Sequence, residues 1–267
     1  MSSSPLHDEI TKVWAFVYKN WIMTKRNVFT LFEVLFWPVV AFLSVGLLAE
    51  FAALGPGMKA FILVGVVSMS AVQVCQLDVA YGLLYEVWSK AVKHGFMAPV
   101  GIRHLLMGSM IVGIARGGSV FFILVAASYL IFDFDFTAPG LMHVAVFLLG
   151  LFLSSAMVGI FVCILVFIFG LRAEVAAWSL VSLMLLVCGI YYPVSILPKW
   201  VTLLAELIPV TYFLEYYREF YGFSPTFPHA LLKEYVLVIL YLVLEILLVK
   251  AALKRARKTG MLLRLSE

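Results

Sequence analysis

Charge is what this sequence has least of. Asp, Glu, Lys and Arg make up 13% of its 267 residues against 64% apolar ones, and the mean hydropathy is +1.07. A water-soluble fold cannot cover itself with so few ions, so the soluble classes are excluded. A nucleic-acid binder is excluded too, because the net charge of +4 forms no basic cluster on a polar fold. Cysteine is equally scarce. Cys75, Cys163 and Cys188 sit alone in apolar runs with no Cys-x-x-Cys, which fits small packing residues rather than redox or metal chemistry. His7, His94, His104, His143 and His229 share no ligand spacing, and His-Glu-x-x-His is missing, so no metal site is expected. The dipeptide Gly-Lys does not occur, which excludes a phosphate-cradling P-loop, and no catalytic set or cofactor-binding motif stands elsewhere. An intramembrane enzyme would have to use Ser154, Ser155 and His143, small or isolated groups that more often serve helix packing. Asp8 and Glu9 stand where a cleaved leader would carry its apolar core, so no signal peptide is expected.

What the chain does have is apolar runs of spanning length. A bilayer core needs about 20 apolar helical residues, whereas a barrel strand alternates over about ten. The pattern predicts an all-α integral membrane protein with six transmembrane helices, at about residues 28–50, 59–84, 104–132, 141–169, 175–192 and 231–249. Pro38 is expected to kink the first span. Residues 1–27 form an amphipathic helix ahead of the spans. Leu6, Ile10, Val13, Trp14, Val17 and Trp21 recur at spacings of three and four, and Asp8, Glu9, Lys12, Lys19 and Asn20 take other positions. Such a helix is either a membrane-surface anchor or a docking or gating element on the cytoplasmic side. Residues 255–267 form a basic tail. Fourteen of the nineteen Lys and Arg fall on the side of both termini, four on the other, and Arg116 lies within a span. The positive-inside rule then places both termini, the 85–103 segment and Arg172 in the cytoplasm of a multi-pass plasma-membrane (inner-membrane) protein.

Three stretches carry polar residues that a plain anchor would not need. From Leu84 into the 85–103 segment, Leu84, Val87, Trp88, Ala91 and Val92 form one helical stripe opposite Glu86, Ser89, Lys90, Lys93 and His94. The segment either rests on headgroups or inserts into a soluble partner. Glu33, Asp78 and Arg116 lie within spans, where a charge is costly and a functional candidate by default. Arg116 can pair with Asp78 or Glu33, as a structural tie or as part of a passage. Glu245 lies near the end of the last span and is expected to snorkel. The 193–222 stretch is too broken by Pro193, Pro198 and Pro209 for a straight span and too apolar for a wet loop. It predicts two short helices that enter the membrane from the outer face and turn back, against protein or a water-filled cavity. Tyr191, Tyr192, Trp200, Tyr212, Phe213, Tyr216, Tyr217, Phe220 and Tyr221 crowd this region, as an interfacial belt or as a ring on which cargo stacks.

Taken together, the amphipathic helix, the six spans, YEVWSKAVKHGFMAPVGIRHLLMGSMI after span two and GIYYPVSILPKWVTLLAELIPVTYFLEYYREFYG before the last span resemble the membrane subunit of an ABC transporter of the ABC-2 class, with type V exporter architecture. In that family the last block forms re-entrant outer helices and its proline-aromatic run ends in an arginine, here Arg218. The loop resembles the family's coupling region at Glu86, Ser89, Lys90 and Ala98-Pro99-Val100, and departs where Ser89-Lys90 replaces the usual Gly-Thr. The resemblance implies a unit of two such subunits and two cytoplasmic ABC ATPase subunits, with ATP and Mg held by the partner and none by this chain. It assigns coupling to Glu86, Val87, Trp88, Lys90, Phe96, Pro99 and Arg103. Spans one, two and five would line the path, in contact with membrane lipid. The outer block resembles the drug and lipooligosaccharide branch more than O-antigen channels, so the cargo is expected to be a drug, a lipooligosaccharide or a polysaccharide. The implied function is ATP-driven export of an amphipathic or lipid-linked cargo; the alternative is an ATP-independent channel or an intramembrane enzyme.

Overall fold

The structure, a computed structural model, describes residues 5–26, 28–91, 100–227 and 230–260, and these contain helices and no strand. In chain order the helices are α1 (Pro5–Arg26), α2 (Val28–Phe51), α3 (Pro56–Trp88), α4 (Ile102–Phe132), α5 (Leu141–Phe169), α6 (Ala176–Val187), α7 (Lys199–Glu206), α8 (Pro209–Glu219) and α9 (Ala230–Lys258), with short 3-10 segments at Gly170–Val175 and Val194–Ile196. Among the described residues, five helical stretches are long and apolar enough to cross a membrane: Val34–Phe51, Pro56–Trp88, Ile102–Phe132, Leu141–Val187 and Leu231–Lys258. The span expected at 141–169 and the first part of that at 175–192 fall within a single 47-residue stretch that ends at Val187, because a 3-10 turn joins α5 directly to α6. Pro38 stands inside α2, as expected.

The bundle is built around α3. Some 83% of its apolar stretch is buried, against 22% for α2 and 28% for α9, which leave their outer faces bare. In hydrocarbon, apolar side chains gain little by leaving lipid, so close backbone approach and buried polar bonds hold helices together. Between α3 and α4 that approach is set by Gly113 and Gly117. A Cβ at these positions would stand 2.8 Å from the Cys75 carbonyl oxygen and 2.9 Å from that of Ala71. All three cysteines are buried thiols, Cys75 at this contact.

Two side-chain bonds fix the direction of α5 and α6. The Cys163 thiol of α5 donates to the Val79 carbonyl (3.8 Å), and Gln76 Nε2 donates to the Ala177 carbonyl at the start of α6 (2.9 Å). Beyond the end of α6, the Ile190 carbonyl lies beside Gly65, about three helical turns back along α3. So α5 and α6 are the arms of a hairpin that turns at Gly170, whose φ of 77° suits glycine. Two apolar clusters stack along the bundle. One gathers Leu63, Phe121, Phe147, Phe213 and Tyr217, and the other Leu83, Leu105, Val162, Phe167 and Leu253. The second cluster, α1 and the last turns of α9 lie at one end, called the basic end below; α7 and α8 lie at the other.

Candidate functional site

At the basic end, α3 runs unbroken to Trp88, so Leu84, Val87 and Trp88 are the last turns of a membrane-length helix rather than the start of a separate one. Lys90, with φ of 56°, ends it. Four segments meet here. Glu86 is buried and paired with Lys19 of α1, and Val87 packs into the core. Arg103 and His104, at the start of α4, both reach Glu9 of α1. The Gly101 N–H donates to His104 Nδ1 (2.8 Å), so the ring proton sits on Nε2 and points at Glu9 Oε2, 3.1 Å away. Asn20 Nδ2 donates to Ser109 Oγ (3.1 Å), which ties the far end of α1 to α4. Trp88 stands edge-on to Tyr81 and Tyr85, and its Nε1 donates to Glu174 Oε2 (2.9 Å) in the α5–α6 turn. Phe96 and Pro99 lie outside the described residues.

These bonds leave α1 with one face on α4 and another free. Leu6, Ile10, Trp14, Tyr18 and Trp21 are exposed, while the backbone at Val13 and Val17 lies against Gly108. His104 first, and then Lys12 and Arg103, hold the Glu9 carboxyl down at about 2, from an ordinary 4.5. A carboxyl with a lowered folded-state pKa contributes stability that is present above pH 4.5 and is lost as the pH falls through 2. Acidification across that window is therefore expected to release α1 from α4. The check is a spin or fluorophore pair on α1 and α4: separation should rise between pH 4.5 and 2 in the native chain, and Glu9→Gln should remove the transition.

Within the bundle, Arg116 of α4 is paired through Nη1 with Asp78 Oδ1 of α3; the side chains are 13% and 10% exposed. Of the two partners open to Arg116, the structure gives Asp78; the Glu33 side chain lies outside the described residues. Two small cavities touch the pair. One, of about 60 Å³, is mostly apolar and aromatic, with Val34 and Trp37 from α2, Leu77, Tyr81 and the polar Gln73 from α3 and Trp178 from α6. The other, of about 70 Å³, opens beside Asn20, Met23 and Thr24 of α1. Gln76, half a turn from Asp78 on α3, faces α6 instead.

At the opposite end, the proline-broken stretch forms the two short helices α7 and α8. Arg218 of α8 is buried and makes four hydrogen bonds to three carbonyls. Nε and Nη2 donate to Phe61 (3.2 and 2.9 Å), Nη1 to Gly189 (2.6 Å) and Nη2 also to Ile190 (2.8 Å). Its guanidinium lies 3.5 Å from the centre of the Phe61 ring. One side chain thus fastens α8 to the start of α3 and to the turn after α6. The aromatic residues divide. Tyr212, Phe213 and Tyr217 are fully buried, with hydroxyls donating to Glu206 O (Tyr212, 3.0 Å) and Phe136 O (Tyr217, 2.5 Å), so they serve packing. Trp200 and Phe220 are exposed, Tyr191 and Tyr192 half-buried, and Tyr216 bonds His143 (2.7 Å). Ser154 and Ser155 donate to carbonyls of their own helix.

Several polar residues here had no mark in the sequence reading. Glu215 accepts the Thr226 and Phe227 N–H groups (3.1 Å each), closing the loop after α8. Glu234 is fully buried and both its oxygens lack a partner among the described residues. Its place beside Lys233 near the start of a span looks interfacial, and no local pattern reveals that it turns inward. Glu245 does not snorkel: it is buried, because α9 continues to Lys258 and places it well inside the helix.

The family model described as ABC-2 type transporter matches residues 11–221, about four-fifths of the chain. A protein of Archaeoglobus fulgidus that carries the name uncharacterized protein is 46% identical over 50 residues, 19% of this chain and 78% of that protein. The family match runs from α1 through the Arg218 block and takes in the four segments that meet at the basic end. With its apolar, multi-pass helical bundle, the chain belongs to the ABC-2 type transporter family, whose members are membrane transport subunits.

Proposed function

We propose that this chain is the membrane-spanning subunit of an ATP-driven exporter that moves an amphipathic or lipid-linked cargo, and that the ATPase is a separate cytosolic subunit. The observation that carries this reading is the junction at the basic end. There the tail of α3, the head of α4, α1 and the α5–α6 turn are tied side chain to side chain through Glu86–Lys19, Glu9–Arg103–His104 and Trp88–Glu174. A push delivered there reaches four helices at once. It also reaches the cavity walls, since α3 and α6 both continue into the Trp37–Tyr81–Trp178 cleft. That cleft takes most of its residues from α2, α3 and α6, the helices of spans one, two and five, and Arg116 from α4.

The α5–α6 hairpin supports six crossings rather than five. A helix rises about 1.5 Å per residue, so 47 residues would extend about 70 Å if straight, more than twice a hydrocarbon core. α7 and α8 then form the re-entrant outer segment, held against protein by Arg218 as non-helical backbone at that depth requires. The lysines and arginines gathered at the other end support a cytoplasmic position for that end and for both termini. The working assembly is a homodimer with two ATPase copies that hold ATP and Mg, embedded in plasma-membrane lipid.

The test is co-expression with a candidate ABC ATPase subunit. The two are expected to co-purify, and cargo-stimulated ATP turnover should require both. Trp88→Ala should cut that stimulation about tenfold by breaking the link to Glu174, while the complex still forms. Failure of any ATPase to bind, or solute flux through this chain alone in liposomes without ATP, would overturn the reading.

A further inference from the structure

The turn between α5 and α6 carries a charge that no neighbour answers. Around Gly170–Val175, the apolar side chains Phe169, Leu171, Val175 and Trp178 are all exposed. So much bare apolar surface at one turn is stable only against lipid or protein, which puts the turn at the edge of the hydrocarbon, a depth that also suits a tryptophan. Arg172 stands among them. It is exposed and makes no hydrogen bond or ion pair among the described residues. Glu174, the nearest acid in the sequence, accepts from Trp88 instead.

Arg172 also lines a groove of about 550 Å³ between the two arms of the hairpin. Leu165 and Phe169 of α5 line one side, Ala176 and Leu180 of α6 the other, and Ala173 the turn. The small alanine side chains leave the arms apart here. Among the described residues that line the groove, Arg172 is the only charged one, and the Ser179 hydroxyl is already spent on the Val175 carbonyl (2.6 Å). The groove therefore has a cation at the turn and apolar walls that run about two helical turns from it along each arm.

We infer that this groove seats one anionic phospholipid of the surrounding membrane, with its phosphate on Arg172 and an acyl chain between the hairpin arms. The order of parts matches, charge at the interface and apolar wall toward the bundle. A guanidinium meets two phosphate oxygens through parallel bonds, and an exposed arginine without a partner is free to make both. The head is anionic rather than zwitterionic because this end is already rich in cations. Leu253 and Ala256 of α9 pack in the same cluster as Phe167 and Ala177, which brings the exposed Lys254, Arg255 and Lys258 to the same end as the turn. The trimethylammonium of phosphatidylcholine would add one more positive charge there, whereas phosphatidylglycerol adds none. A lipid seated so braces the turn whose Glu174 holds Trp88 at the end of α3. The inference needs only a membrane-spanning chain and goes beyond the transport reading.

The test is native mass spectrometry of the chain released from detergent micelles that contain dioleoyl-phosphatidylglycerol or dioleoyl-phosphatidylcholine. One phosphatidylglycerol per chain is expected to be retained, about fivefold tighter than phosphatidylcholine, the effect of one basic residue on one anionic head. Arg172→Ala changes an exposed side chain that ties nothing together, and should bring the two lipids level. Ser179→Trp fills the groove and should weaken both. Equal retention in the native chain, or a phosphatidylglycerol preference that survives Arg172→Ala, would overturn the inference. So would an unchanged lipid count in Ser179→Trp together with the loss of a dimer, since a second copy of the chain would then be what covers the groove. No ATPase takes part, so failure of an ATPase to bind would sink the transport reading and leave the lipid seat standing.

Discussion

Arg218→Met is expected to lower the stability of the solubilised chain by about 4 kcal/mol, the largest effect of any single substitution at the outer end. The side chain lost is a planar fork that serves three carbonyls from two other parts of the chain. Phe61 O stands in the first turns of α3 and keeps a helical partner. Gly189 O and Ile190 O lie in the turn after α6, and each becomes a buried acceptor without a donor, at about 1–3 kcal/mol apiece. The contact of the guanidinium with the Phe61 ring goes as well. Arg218→Lys keeps the charge, but one ammonium on a flexible stem cannot span the three sites, so it should recover less than half of the loss. The buried thiols report the result directly: Cys75, Cys163 and Cys188 are shielded from a thiol-reactive dye until the bundle opens. Their labelling midpoint on heating should fall steeply in Arg218→Met and partly in Arg218→Lys. An unchanged midpoint would mean that Arg218 does not fasten α8.

How much of this could be seen in the chain beforehand follows from where the information lies. α5 was legible to the residue, because Gly140 and Gly170 bracket an uninterrupted apolar run. α7 and α8 were legible because Pro198 and Pro209 start them, and proline is a local signal. The end of α3 was not. Leu84, Val87 and Trp88 keep the helical period of the span before them, so the change from apolar to mixed faces looks like a boundary although the backbone continues. Burial of the aromatic residues was also hidden. Tyr212 and Tyr217 differ from Trp200 in surroundings, not in composition: Tyr217 stacks on Phe147 of α5, Tyr212 packs against Val201, Ala205 and Phe227, and Trp200 of α7 faces outward. Pairings across the chain were the hardest. Glu9 and His104 are 95 residues apart, Lys19 and Glu86 are 67, and nothing local links them. Asp78–Arg116 was legible as one of two options for the same reason: a charge in a span demands a partner but does not name it.

That demand makes the pair the place for a double-mutant cycle. Arg116→Leu alone leaves the Asp78 carboxylate in a low-dielectric interior with its counter-ion gone, and Asp78→Leu alone does the same to the guanidinium. Each is expected to cost about 3–5 kcal/mol. Asp78→Leu/Arg116→Leu removes both charges, and both leucines suit walls already made by Val34, Val74 and Leu77. A buried ion pair is often no more stabilising than apolar side chains of similar size, so the double variant should come within about 1 kcal/mol of the native chain. The coupling, the sum of the single losses less the double loss, is then several kcal/mol, far above that of exposed pairs such as Lys233–Glu206. Dye labelling of the buried cysteines in the four proteins measures it, with Cys75 one turn from Asp78 as the nearest reporter. Single losses that simply add in the double variant would show two charges solvated independently. A strong coupling with a nearly native double variant would mean that the pair contributes little to holding α3 against α4, and that what keeps it in a membrane span is a task other than stability.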